Sequence, residues 1–249
     1  IRAKRVIIAT GATERPLVFS NNDRPGVMLA AAARRYVNQF AVKPGNRAVI
    51  FANNDDGYKT AVNLAEKGID VRAVVDSRTQ VNDFWKTKLE QIGVELIQGS
   101  AVINTHGHFR LTGVDIATLS SDQKSTNSQS IFISADLLAI SGGWSPNVHL
   151  YCHAGGRPRY EASIAAFVPS LRSQSEYPAG ASNGAFSLID CITEGANYAN
   201  QLATELGFSK IIFSAPKIDE PKVTPIKALW RIPGKGKKFV DIQDDVTES

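Results

Sequence analysis

Cysteine is nearly absent. Cys152 and Cys191 stand alone in 249 residues and form neither a Cys-x-x-Cys dithiol nor half of a zinc site, which excludes dithiol redox chemistry by this chain and leaves buried free thiols as the expectation. Histidine is scarce too. Of the four, only His106 and His108 are close in sequence, and a lone H-x-H turn with no third ligand nearby points to no metal. Ser187 and Asp190 lack a G-x-S-x-G elbow, so a hydrolase triad is not expected and no catalytic residue is assigned. No apolar run approaches the ~18 residues that span a bilayer. No charged n-region followed by an apolar stretch opens the chain either, so no membrane association and a cytoplasmic location are expected. Charge of one sign is also modest, at +4. Lys235, Lys237 and Lys238 supply part of it and read as a solvated tail, because no aromatic residues interleave with them as a nucleic-acid stacking surface requires.

What is present is an ordinary globular composition, 43% apolar and 21% charged, with alternating strand and helix signals. Lys4 to Ala9 reads as a buried strand, and 12–25 as a loop with turn signals at Asn21-Asn22-Asp23 and Arg24-Pro25-Gly26. Val27 to Phe40 reads as a helix that ends before Lys43-Pro44-Gly45. A βαβ unit follows: strand Arg47 to Phe51, helix Asp56 to Lys67 stopped by Gly68, and strand Asp70 to Val75 with Asp76 at its end. The helix Asn82 to Ile92 carries Phe84, Leu89 and Ile92 at helical spacing. Val94 to Gln98 makes a further parallel strand, 101–118 suits antiparallel strands, and 120–129 is polar and loop-like. Ile131 to Ile140 is an apolar strand running into Ser141-Gly142-Gly143. The Gly180 to Gly184 turn leads into helices at 185–194 and 197–207, and beyond Ser214 a Pro- and Lys-rich arm is expected.

Two strand–turn–helix stretches decide the functional reading. A dinucleotide fingerprint needs one glycine for the tight turn, one for close approach of the pyrophosphate, and one for packing helix on strand. In Phe51 to Gly57 those places hold Ala52, Asn54 and Gly57, so only the packing glycine is kept. Asn54 fills the phosphate position, and Asp55 and Asp56 bring negative charge to a helix N-terminus that would otherwise attract an anion. At an effective dielectric near 20, unit charges ~4 Å apart repel by about 4 kcal/mol. Asp76 stands where a ribose-binding acid belongs. This second nucleotide site is therefore expected to keep its fold and to have lost its ligand. The first retains more. Ala9, Thr10 and Gly11 offer a close backbone approach and a small hydroxyl, and Ala181, Ser182, Asn183 and Gly184, just before a helix, offer N–H groups to a phosphate or ribose.

The run Ala9-Thr10-Gly11-Ala12-Thr13-Glu14-Arg15-Pro16, followed by Pro25-Gly26-Val27-Met28, resembles the large subunits of amino-acid-oxidising flavoprotein complexes: opine dehydrogenases, hydrogen cyanide synthase and sarcosine oxidase. Asn21 to Met28, Phe51 to Tyr58, Ser141 to Leu150 and Phe239 to Thr247 are similar to the α subunits of heterotetrameric sarcosine oxidases in particular. The resemblance runs from end to end. It implies a complex that oxidatively demethylates sarcosine to glycine with O2, yields H2O2 and passes a one-carbon unit to tetrahydrofolate. It further implies FAD and a covalent FMN on the partner β subunit, γ and δ subunits besides, and an NAD on the α subunit. Of the NAD contacts, Ala181, Phe186 and Leu188 would carry some, with Asn183 and Gly184 as the turn; Phe186 and Leu188 read equally well as core.

The expected fold is α/β, with two Rossmann-like FAD/NAD(P)-binding domains, the second inserted in the first and the first N-terminally incomplete. Residues 1–44 and 130–214 are assigned to the first domain, 45–129 to the degenerate inserted one, and 215–249 to an extended arm leading toward a folate-binding domain outside the sequence. The chain alone is expected to be inactive and prone to self-association. Two alternatives stay open: a subunit of a related opine, proline or amine dehydrogenase, and a non-catalytic subunit-interaction module.

Overall fold

The computed structural model describes residues 3–170, 174–209, 216, 218, 221 and 223–248. They form two units, one of residues 14–143 with 222–249 and one of residues 1–13 with 144–221.

The larger unit is built on five parallel strands. In chain order its elements are β1 (Val27–Leu29), α1 (Ala30–Gln39), β2 (Arg47–Ala52), α2 (Asp56–Glu66), β3 (Asp70–Asp76), α3 (Asp83–Gln91), β4 (Glu95–Gln98), an antiparallel meander β5 (Ser100–His106), β6 (Gly113–Leu119) and β7 (Thr126–Ile133), and β8 (Leu137–Ser141). The parallel sheet has the order β1-β8-β2-β3-β4. Alternation along each strand divides its side chains between two cores, as a sheet covered on both faces requires. Ala48, Ile50, Leu137 and Ala139 face the helices with Tyr58, Leu64, Trp85 and Leu89. Val49, Phe51, Leu138 and Ile140 face the meander with Val102, Val114 and Ile116. The result is three layers: helices, parallel sheet, antiparallel meander.

Helix boundaries follow local chemistry. The Asn82 side chain accepts the Phe84 N–H at 2.9 Å and starts α3. Gly68, at φ +74°, ends α2 by turning back so that Gly68 N–H and Ile69 N–H reach the Ala65 and Leu64 carbonyls. A Cβ on Gly57 would overlap the Ala52 Cβ, so this glycine serves the close packing of α2 on β2.

In the smaller unit, Val6–Ile8 pairs in parallel with Glu176–Pro178, and Arg159–Glu161 pairs antiparallel with Ala166–Val168. The helix α4 (Leu188–Glu205) is anchored by Glu205, which accepts from Arg5 Nε at 2.9 Å and from Tyr177 Oη at 3.1 Å.

Several expectations are corrected. Val6 and Ile7 are 49% and 44% exposed, because their strand has a single three-residue partner. Val27 to Leu29 is a strand and only the alanine-rich remainder is helical. In α3 the buried residues are Trp85 and Leu89, while Phe84 and Ile92 are exposed. Residues 126–129, expected as loop, begin β7, and the apolar run 131–140 divides between β7 and β8. One 18-residue helix replaces the two expected at 185–207; Gly195 is tolerated inside it. Cys152 is exposed and Cys191 half-buried, so neither is a core thiol. Residues 14–44 and 130–143 fall in the larger unit, because β1 and β8 join the sheet of β2 and α1 packs on α2. Residues 223–248 of the arm belong to the same unit, and Lys238 is buried with its Nζ 3.2 Å from Glu248 rather than solvated. The remainder of the arm at 215, 217, 219, 220, 222 and 249 lies outside the described residues. Among the described residues no helix is long and apolar enough to cross a membrane.

Candidate functional site

In the smaller unit, the two sequence motifs assigned to a nucleotide meet at the carboxyl ends of its parallel strands. The Ser182 hydroxyl donates to the Ile8 carbonyl at 2.9 Å, and Ala179 N–H reaches the same oxygen at 2.9 Å. Ala9 and Thr10 are exposed. Gly11, at φ +73°, has nothing within 4 Å of where a Cβ would stand, so this turn opens onto free space. Asn147 holds the turn from behind, donating to the Thr10 carbonyl at 3.0 Å and, through its carbonyls, accepting from the Thr10 and Thr13 hydroxyls at 2.8 and 2.9 Å. Gly184, at φ +89°, could carry a Cβ only against Val168 and Ile164. Phe186 is half-buried, and Leu188, at the first turn of α4, is 56% exposed.

Ala181 to Gly184 is less open than its sequence suggests. Glu194, nearly two turns into α4, accepts the Gly180 N–H at 2.6 Å and also binds the Asn183 amide. A carboxylate of the chain therefore occupies part of the donor set expected to face a phosphate. The sequence reading missed Glu194 and Asn147. For Glu194 the signal was an acid placed about three helical turns beyond a Gly-rich turn; Asn147 carries no local signature.

In the larger unit the corresponding crevice, at the carboxyl ends of β2, β3 and β8, is filled. The Asn54 side chain donates to Ser141 O at 3.0 Å and to Asn53 Oδ1 at 3.0 Å, and accepts the Asp56 N–H at 2.9 Å. Asp76, fully buried, accepts from the Tyr58 hydroxyl and from Arg78 at 2.8 Å, which leaves no lone pair turned outward to a ribose. Arg78 reaches Asp55 as well, at 2.8 Å. Burial pushes the Asp76 carboxyl up against the pull of Arg78. For Arg78, burial favours the neutral form, but Asp76 and then Asp55 outweigh it and the net shift is upward. Asp56 is held by Arg34 in a two-pronged pair at 2.6 and 3.1 Å. Both acids at the start of α2 are thus paired. Their repulsion of an incoming phosphate is smaller than their bare charges imply, and occupancy becomes the stronger barrier.

That occupancy is completed by the arm. Thr224 N–H donates to Asp55 at 2.7 Å, and Asn53 exchanges bonds with Lys227, donating from Nδ2 at 3.0 Å and accepting at its carbonyl at 3.1 Å. Arg78 was not singled out in the sequence, and neither was the part that Tyr58, Asn53 and the expected arm play in this crevice. An arginine two positions after the strand-end acid was the available signal for the first.

Elsewhere, His106 Nε2 lies 2.6 Å from Asp115 Oδ2 with its ring edge-on to Phe132, and His108 likewise meets Phe109 edge-on. Among the described residues no three His, Cys, Asp or Glu side chains are grouped to hold a metal.

The layered α/β architecture resembles thioredoxin reductase-like FAD/NAD(P)-binding domains. Thioredoxin reductase of T. acidophilum superposes with a TM-score of 0.64 over 82% of this chain and 66% of its own, at 18% identity. The sequence is more particular than the fold. The chain is homologous to the α subunits of sarcosine oxidase: it is 37% identical over 248 residues to subunit alpha of Rhizobium meliloti (strain 1021), covering 99% of this chain and 24% of that subunit. With the subunit alpha of Corynebacterium sp. (strain P-1) it shares 36% identity over 264 residues, 100% of this chain and 26% of that one. The chain thus spans about a quarter of the length of the curated relatives it matches. No family model matches it.

Proposed function

We propose that this chain is the part of a sarcosine oxidase α subunit that carries one working and one retired dinucleotide domain. In this reading the smaller unit belongs to an NAD site in the complete subunit, and the larger unit is scaffold. The observation that carries it is the homology along the whole chain, joined to the meeting of the Thr10–Gly11 and Ser182–Gly184 turns at one strand end. The open space at Gly11 and the exposed Thr10 fit a dinucleotide backbone. The crevice of the larger unit does not fit one, since Asn54, Asp55 and the arm occupy it. No redox step is assigned to a nicotinamide dinucleotide held in the smaller unit; this chain's own part is to hold its phosphate and ribose through Ala9, Thr10, Gly11 and Ala181 to Gly184, with Phe186 and Leu188 bordering them.

The complex is proposed to demethylate sarcosine oxidatively with O2, using FAD and FMN on a partner subunit and passing one carbon to tetrahydrofolate in a domain outside this chain. Its β, γ and δ partners and a cytoplasmic location belong to the same proposal. The test is an assay of the complete complex against sarcosine, proline and opines, with peroxide as the readout. Peroxide formation selective for sarcosine supports the reading. Selectivity for proline or an opine would move the chain to a related dehydrogenase, and no turnover with nucleotide-free protein would make it an interaction module.

A further inference from the structure

The crevice of the larger unit is closed by an ordered stretch of the same chain, and the way it is closed has the chemistry of peptide recognition. Residues 224–232 are bound at three places. At the first, Asp55 accepts the Thr224 N–H at 2.7 Å while Arg78 Nη1 donates to the Thr224 and Pro225 carbonyls at 3.3 and 3.4 Å. At the second, the Asn53 side-chain amide donates to the Lys227 carbonyl at 3.0 Å while the Asn53 main-chain carbonyl accepts the Lys227 N–H at 3.1 Å, so one asparagine holds both main-chain groups of one residue. At the third, Val18 N–H donates to the Trp230 carbonyl at 2.7 Å and the Val18 carbonyl accepts the Ile232 N–H at 2.8 Å, a parallel β-bridge in miniature.

Side chains add selectivity to these backbone bonds. Ile226 lies over Gly143, where any Cβ would overlap its Cδ1. The Trp230 indole donates to the Gly142 carbonyl at 2.6 Å beneath the Arg15 guanidinium, which stands 4.4 Å from the ring centroid. Ile232 is fully buried in the meander-side core. The receiving polar groups are themselves buried: Asn53 is 0%, Arg78 4% and Asp55 7% exposed. Groups so buried need their partners in the native state, because each left unmatched carries the desolvation penalty of a lost bond.

We infer that this crevice is a peptide-binding site whose resident ligand is residues 224–232 of the same chain. The bonds run to main-chain groups and the pockets take alternate anchors, which is how extended peptides are recognised at sheet ends and edges. The glycines Gly142 and Gly143, at the strand end where a cofactor's phosphates would need close approach, instead admit the peptide. Arg78 makes the conversion possible: it neutralises Asp55 and Asp76 and turns its remaining N–H groups to peptide carbonyls. The strap is permanent, and it fixes the path of the chain toward the hairpin at Phe239–Asp241 and Val246–Thr247. This inference holds whatever amine the complex oxidises, so its test is separate from the assay above.

Amide hydrogen exchange on the full chain reads it directly. The amides of Thr224, Lys227 and Ile232 are expected to exchange far more slowly than in an unstructured peptide. Ile226→Asp and Arg78→Gln should each speed exchange across 224–229 by about tenfold or more, with the amides of β2 and β3 unaffected. Should Arg78→Gln loosen the sheet as well, Ile226→Asp, which alters only the strap's own side chain, decides. NAD(H) and NADP(H) at millimolar concentration should leave the strap's exchange unchanged. Free-peptide rates in the unmodified chain, or no change in Ile226→Asp, would overturn the assignment. Faster exchange on adding nucleotide would overturn permanence and show a displaceable lid.

Discussion

Glu14 is a buried carboxyl group that accepts the Ala31 N–H at 2.9 Å, at the start of α1. Burial raises it to about 7, with Asp56 adding and Arg34 opposing. A carboxyl raised above its unfolded value gives stability that is complete below the unfolded pKa and is lost as pH rises through the folded one. The protein should therefore lose about 1.4 kcal/mol between pH 6 and 8.5 from this residue alone. Glu14→Gln should abolish that slope, and urea melts of both proteins at the two pH values measure it; parallel slopes would remove Glu14 as the cause. Gly57 offers a second residue-scale test. Because a Cβ there overlaps Ala52, Gly57→Ala should cost about 1–3 kcal/mol by overpacking, despite alanine's better helix propensity. A stabilised variant would mean that α2 can move away from β2.

At the scale of elements, β7 is the exposed edge of the meander. Its sequence from Thr126 to Ile133 has neither a charge nor a proline, and such edges invite pairing with another chain. Concentration-dependent association is expected by sedimentation, and Ser128→Lys with Ser130→Lys should weaken it. Association unchanged by the lysines would place the contact elsewhere. The elements also show what the sequence could and could not convey. The βαβ core from β2 to β4 was legible because apolar periodicity and turn residues agree there. The split of 131–140 between β7 and β8 was not, since a continuous apolar run carries no mark of where one strand ends. The crowding of the turn after β2 was legible in Asn54 to Asp56. Its cause was only half legible, because the pairing of Asp55 and Asp76 through Arg78, and the strap that completes it, are long-range contacts that leave no local pattern.

At the scale of the molecule, the strand-end crevices of the two units differ. In one, Thr10 and Gly11 face open space beside the Ser182 turn; in the other, polar side chains and a peptide fill the place of a dinucleotide. The most direct test of that division is the NAD content of the complete α subunit after gel filtration, measured for the natural protein and for Gly11→Val and Asp76→Asn variants eluting at the natural volume. The account predicts close to one NAD per subunit in the natural protein and in Asp76→Asn, with NAD lost in Gly11→Val. NAD retained in Gly11→Val and lost in Asp76→Asn would contradict it.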